Sequence, residues 1–260
     1  MLEKHVEFCY NNKSYAAITG MQRISKKAGV SPLAANHSPQ RRGGKRAQPA
    51  LQLNRRSLLI AAVALCLMLI IIVFSLHGGR TRTLPEQVQA QMPSWVTQEL
   101  LTPNEYSRPQ IEMEQVNAVV IHYVGNPGTS AEANRSYFEG LAASGETHAS
   151  SNFIVGLEGE ILQCVPVSEV AYCSSDRNYD TVSIEVCHPD ETGQFTEASM
   201  ASAVKLTAWL CQAFGLDPQT DVIRHYDVTG KECPLYYVRN GDAWETFKSD
   251  VAAAMAAEES

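Results

Sequence analysis

From Ser57 to Leu76 the chain reads SLLIAAVALCLMLIIIVFSL, twenty residues without a charge. That is about the length a helix needs to cross a hydrocarbon core of roughly 30 Å. A secretory signal carries an apolar stretch of about 7–15 residues close to the N-terminus. Here 56 residues come first, so the pattern predicts an uncleaved, single-pass transmembrane helix over 57–76.

After this run the pattern changes twice. Residues 77–115 are rich in Gln, Thr, Pro and Glu with a short apolar patch around Trp95 and Leu100, which reads as a stalk. From Val116 the periods of folded structure begin. Asn117–Tyr123, NAVVIHY, is a β-branched run that stops at Gly125-Asn126-Pro127-Gly128, as a buried strand followed by a turn does. Thr129-Ser130-Ala131-Glu132 is a capping-box pattern that opens a helix running to about Leu141. Short strands are expected at 152–157 and 160–165 around the turn Glu158-Gly159, and another at 181–187. Met200, Ala203, Val204, Leu210, Cys211 and Phe214 recur at helical spacing between Thr196 and Gly215, which defines a core-facing helix with both caps in place. Val222-Ile223-Arg224 is a short strand, and Asp242 opens a last helix with Trp244, Phe247 and Val251 on one stripe. Helices interleaved with strands predict an α/β domain over 116–257, a mixed central β-sheet flanked by helices and preceded by the single transmembrane helix.

Charge gives this arrangement a direction. Residues 1–56 hold 11 Lys and Arg against two acids, and a basic flank stays on the cytoplasmic side. The reading is a disordered cytoplasmic tail, a single-pass membrane anchor and an extracytoplasmic domain. Residues 85–260 carry 26 acids and 8 basic residues, a formal charge of −18, which argues against nucleic acid or anionic lipid as a partner of the domain.

The candidate chemistry lies in His225-Tyr226-Asp227-Val228-Thr229-Gly230-Lys231-Glu232-Cys233-Pro234. His225 and Cys233 are both zinc-type ligands, and His122, at the carboxyl end of its strand where open α/β sheets place ligands, is a third. Three protein ligands that leave a position open mark a catalytic zinc site rather than a structural one. Nitrogen and thiolate donors also suit zinc better than calcium or magnesium. If Cys233 binds metal, Cys164, Cys173, Cys187 and Cys211 remain as an even set. They are either disulfide-bonded, with Cys164 and Cys173 the first pair to check, or buried thiols.

Four segments in order, V-V-I-H-Y at 119–123, S-S-N-F-I-V with its E-G-E turn at 150–160, N-Y-D-T-V-S-I-E at 178–185 and R-H-Y-D-V-T-G-K-E-C-P at 224–234, resemble the zinc-dependent N-acetylmuramoyl-L-alanine amidases. This amidase-2 type is shared by phage endolysins, bacterial autolysins and peptidoglycan recognition proteins. The resemblance covers about half of the chain. It implies one Zn²⁺ held by His122, His225 and Cys233, Glu185 as the catalytic carboxylate, Lys231 as the cation that meets the developing oxyanion, and peptidoglycan as substrate. Tyr123, Asn152 and Asn178 are expected to contact that substrate. Family members have tyrosine or histidine where Ser151 and Asn152 stand, and many have histidine at Cys173. The alternative within the same fold is a peptidoglycan-binding or sensor module without turnover. Members that only bind commonly lack the cysteine ligand, and here Cys233 is present.

Overall fold

The computed structural model describes residues 83–258, together with Ile60, Val63–Cys66 and Met68. Residues 14–80 form a unit of their own, described only at those six positions, which are helical and exposed. The rest of the 57–76 run and the tail 1–56 lie outside the described residues. Among the described residues no helix is long and apolar enough to cross a membrane.

The domain is a six-stranded mixed sheet. In chain order its elements are α1 (Pro85–Gln89), β1 (Thr97–Gln98), β2 (Ala118–Tyr123), α2 (Ala131–Ser144), β3 (Phe153–Val155), β4 (Ile161–Gln163), a 3₁₀ turn (Ser175–Arg177), β5 (Thr181–Val186), α3 (Glu197–Phe214), β6 (Val222–Arg224), α4 (His225–Thr229), α5 (Leu235–Arg239) and α6 (Gly241–Glu258). The strand order is β1-β4-β3-β5-β2-β6, and only β3 and β4 run antiparallel. The parallel pairs β3–β5, β5–β2 and β2–β6 bring the carboxyl ends of three central strands to one rim.

Side-chain alternation splits the sheet into two apolar faces. Val119 and Ile121 of β2, with Val182, Ile184 and Val186 of β5, pack against Leu206 and Leu210 of α3 and Phe247 and Val251 of α6. Ile154 and Leu162 face the other way, toward Phe138 and Leu141 of α2. His122 and Glu185 alternate out of phase with the first set, so both belong to the α2 side. The caps of α3 are as expected, Thr196 Oγ1 accepting from Ser199 N–H and Gly215 closing the helix in the left-handed conformation that suits glycine, whereas α2 is capped one residue later than the Thr129 capping box implies, by Ser130 Oγ accepting from Ala133 N–H.

The segment read as a stalk differs from that expectation from Pro85 onward. Val88, Val96, Leu101 and Met113 are buried, and β1 adds to the sheet beside β4 in parallel. Gln163 Nε2 donates to Gln89 Oε1 at 2.8 Å. Arg108 forms a two-point ion pair with Glu169 at 2.8 and 2.9 Å. The apolar residues here are spaced irregularly between prolines, so the pattern carries no period even though the side chains are core. Fully burying each such side chain contributes about 1.5–3 kcal/mol, so the four together approach the entire stability of an average domain, about 5–15 kcal/mol. Deleting 85–115 is therefore expected to abolish the cooperative thermal unfolding of the domain, followed by circular dichroism. An unchanged melting temperature would restore the stalk reading.

Cys164, Cys173, Cys187 and Cys211 are all buried thiols outside any disulfide. They pack as small apolar side chains in the domain, and burial pushes the Cys187 and Cys211 thiols up to about 12.

Candidate metal centre

The parallel register between β2 and β5 sets His122 directly beside Glu185, on the same face at the carboxyl rim. Strand β6 pairs with the other side of β2, Ile121 opposite Arg224, so the next residue, His225, emerges at the same rim as the first residue of α4. Arg224 fixes this junction: its N–H and guanidinium both meet the Asp227 carboxylate, at 2.7 Å for Nη2 to Oδ1. Asp227 thus caps the first turn of α4.

Helix α4 ends at Gly230 in the left-handed conformation, and the chain folds back. Tyr226 N–H donates to the Cys233 carbonyl at 2.9 Å, and Cys233 N–H donates to the Lys231 carbonyl at 2.7 Å. The loop returns Cys233 to His225. The donor atoms of His122, His225 and Cys233 lie within 4.8 Å of one another, and all three residues are buried. Cys233 Sγ stands 3.8 Å from His122 Nδ1, and the two imidazole ring centres are 4.6 Å apart.

These residues fit a metal ion on their own chemistry. Both ring nitrogens of His225 are buried and have no hydrogen-bond partner among the described residues, an arrangement rare in folded proteins because an unpaired buried polar atom is costly. Two imidazoles and one thiolate form a three-ligand set for zinc. Burial, then the neighbouring His225 and then the Lys231 cation hold the His122 pKa well below the ordinary imidazole range, so His122 is neutral and has a lone pair to give.

Glu185 is 2% exposed. Cys173 Sγ–H donates to its Oε1 at 3.7 Å, and His122, Cys173 and Glu185 also place their donor atoms within 4.8 Å of one another. Lys231 is exposed on the return loop, near enough to His122 for its charge to be felt there. The five residues assigned to the reaction from sequence are therefore brought together.

The three residues expected to meet substrate fare differently. Tyr123 is half-buried at the rim, with its ring centre 4.9 Å from that of His188, a position open to a ligand. Asn152 is fully buried. Its Oδ1 accepts from Ser183 N–H at 3.0 Å and its Nδ2 donates to the Pro166 carbonyl at 3.1 Å, so it ties β5 to the loop after β4 and has no face toward a cleft. Asn178 Oδ1 accepts the N–H groups of Cys173 and Ser174 at 3.0 and 2.6 Å, which makes it a clamp on that loop. Both were assigned by motif position alone, and motif position does not tell a buried amide from an exposed one. Ser174 was not anticipated at all. Its hydroxyl lies 3.2 Å from His122 Nε2, and a serine inside an S-S pair has no signal that would single it out.

A His/His/Cys cluster beside a buried carboxylate, at the carboxyl rim of a mixed α/β sheet, is the kind of donor set that hydrolytic zinc sites use. Residues 112–235 match the family Amidase_2, described as N-acetylmuramoyl-L-alanine amidase. The chain is 31% identical over 172 residues to the N-acetylmuramoyl-L-alanine amidase BlyA of Bacillus subtilis (strain 168), covering 58% of this chain and 45% of BlyA. It is 32% identical over 160 residues to the amidase CwlL of Bacillus licheniformis, covering 57% of this chain and 44% of CwlL. It thus spans less than half the length of these relatives. The fold is shared with the catalytic domain of PlyG, at a TM-score of 0.53 and 21% identity over 62% of this chain and 94% of that one. The catalytic domain of XlyA aligns with a TM-score of 0.51 and 23% identity, over 60% of this chain and 98% of that one.

Proposed function

We propose that this chain is a membrane-anchored, zinc-dependent amidase that cleaves peptidoglycan between the lactyl group of N-acetylmuramic acid and L-Ala of the stem peptide. The observation that carries the proposal is the convergence of His122, His225 and Cys233 beside Glu185. The match of residues 112–235 to the amidase family supports the choice of bond.

His122, His225 and Cys233 would hold the ion, which when bound supplies Lewis-acid chemistry that makes water acidic near neutral pH. Glu185 takes a proton from the water that attacks the amide carbon and delivers it to the nitrogen as the C–N bond breaks. The products are a lactyl carboxylate and a peptide with a free L-Ala amino group. Burial of Glu185 excludes bulk water from that transfer, and the Cys173 thiol holds Oε1 in place. Lys231 sets its cation where the carbonyl oxygen gains negative charge.

The apolar run 57–76 and the basic 1–56 support an anchor with the N-terminus in the cytoplasm of a bacterial cell and the −18 domain outside. Anchoring raises the concentration of an acidic enzyme near an anionic wall that would otherwise repel it. Incubating the zinc-loaded chain with purified walls is expected to release peptides with free L-Ala amino termini, read by N-terminal labelling and mass spectrometry. Wall binding without any such release would instead make it a sensor module. Protease added to intact spheroplasts is expected to remove 85–260 and spare 1–56, and the reverse result would overturn the orientation.

A further inference from the structure

We infer that Ser174 is a positioning residue for His122, holding its imidazole as the tautomer that carries the proton on Nε2 and leaves the Nδ1 lone pair for the ion. This rests on the zinc reading above and adds to it a residue outside the ligand set.

The two nitrogens of His122 face different neighbours. Nδ1 lies 3.8 Å from Cys233 Sγ and Nε2 lies 3.2 Å from Ser174 Oγ. A neutral imidazole has one donor and one acceptor nitrogen. If Nδ1 looks toward the other two ligands, the single proton belongs on Nε2 and needs an acceptor. Ser174 is 1% exposed and His122 is fully buried, so bulk water does not replace the hydroxyl. Ligating histidines depend on such a partner for ring orientation and basicity.

The hydroxyl is itself held. Both N–H groups of the Cys173–Ser174 pair donate to Asn178 Oδ1, at 3.0 and 2.6 Å. Ser175 then turns the chain with φ of 52°, in the left-handed region that side chains disfavour, into the 3₁₀ turn that lies against α4. Cys173 meets the carboxylate and Ser174 meets the ligand, so two consecutive residues serve the two halves of the site.

The test uses the full chain loaded with zinc. Imidazole ¹⁵N spectra are expected to show His122 coordinated through Nδ1 with a slowly exchanging Nε2–H. Ser174→Ala is expected to weaken zinc binding about 10–100-fold, measured by competition with a chromophoric chelator, while Ser174→Thr, which keeps a hydroxyl, holds close to the parent affinity. Coordination through Nε2 in the parent overturns the inference even if the alanine variant fails to fold. So does a folded Ser174→Ala chain that binds zinc as tightly as the parent. A parent chain that binds no zinc overturns the zinc reading and this inference with it, whereas the two results above leave the zinc reading standing.

Discussion

Glu185→Gln is expected to lower kcat on wall substrate by roughly 10²–10⁴-fold, the range general acid–base groups contribute, while the chain keeps its zinc. Glutamine has nearly the shape of glutamate but cannot accept a proton from water. Glu185 sits in the interior of β5 with β2 and β3 on either side, so an isosteric replacement leaves the strand, and with it His122, where they are. Metal content by atomic absorption and turnover on the same preparation separate the two effects. Zinc-replete Glu185→Gln with parental turnover would remove Glu185 from the reaction. Loss of zinc together with turnover would make it a ligand.

The opposite dissociation is expected for Cys233→Ala. Removing the thiolate leaves two imidazoles, and both the zinc content and the release of peptide fall to background. Chelation should inactivate the parent to the same level, with activity returning on re-addition of zinc to the parent and not to the variant. Stability offers a second readout. A ligand that binds only the folded state stabilises it by RT ln(1 + [L]/Kd), about 2.7 kcal/mol at a hundredfold excess over Kd. The melting temperature of the parent should therefore drop on chelation, and that of Cys233→Ala should not respond. A parent whose melting temperature and activity both ignore a strong chelator would remove zinc from the account.

The sequence pattern carried the long elements well, for a physical reason in each case. Thr196 and Gly215 bracket eighteen residues of α3 because a cap at each end and a 3.6-residue period leave little freedom. The run 117–123 became β2 at Ala118–Tyr123, one residue shorter at its start, since β-branched residues bounded by Gly and Pro suit a central strand. The short elements were not legible. Helix α4 begins at His225 itself, where sequence suggested only a strand handing over to a loop, because five residues are too few to show a period. The first of the three expected substrate contacts, Tyr123, remains at the rim, whereas Asn152 and Asn178 are engaged by hydrogen bonds to residues 4 to 31 positions away. Partners at such distances leave no mark in a local pattern.

The outermost strands of the sheet carry one more consequence. At one margin β1 has only two residues, both exposed, and at the other β6 has three. A neighbouring copy seeking to extend the ladder would find two or three backbone groups to pair with, too few to hold it. Such domains can sit at high local density without zipping together edge to edge.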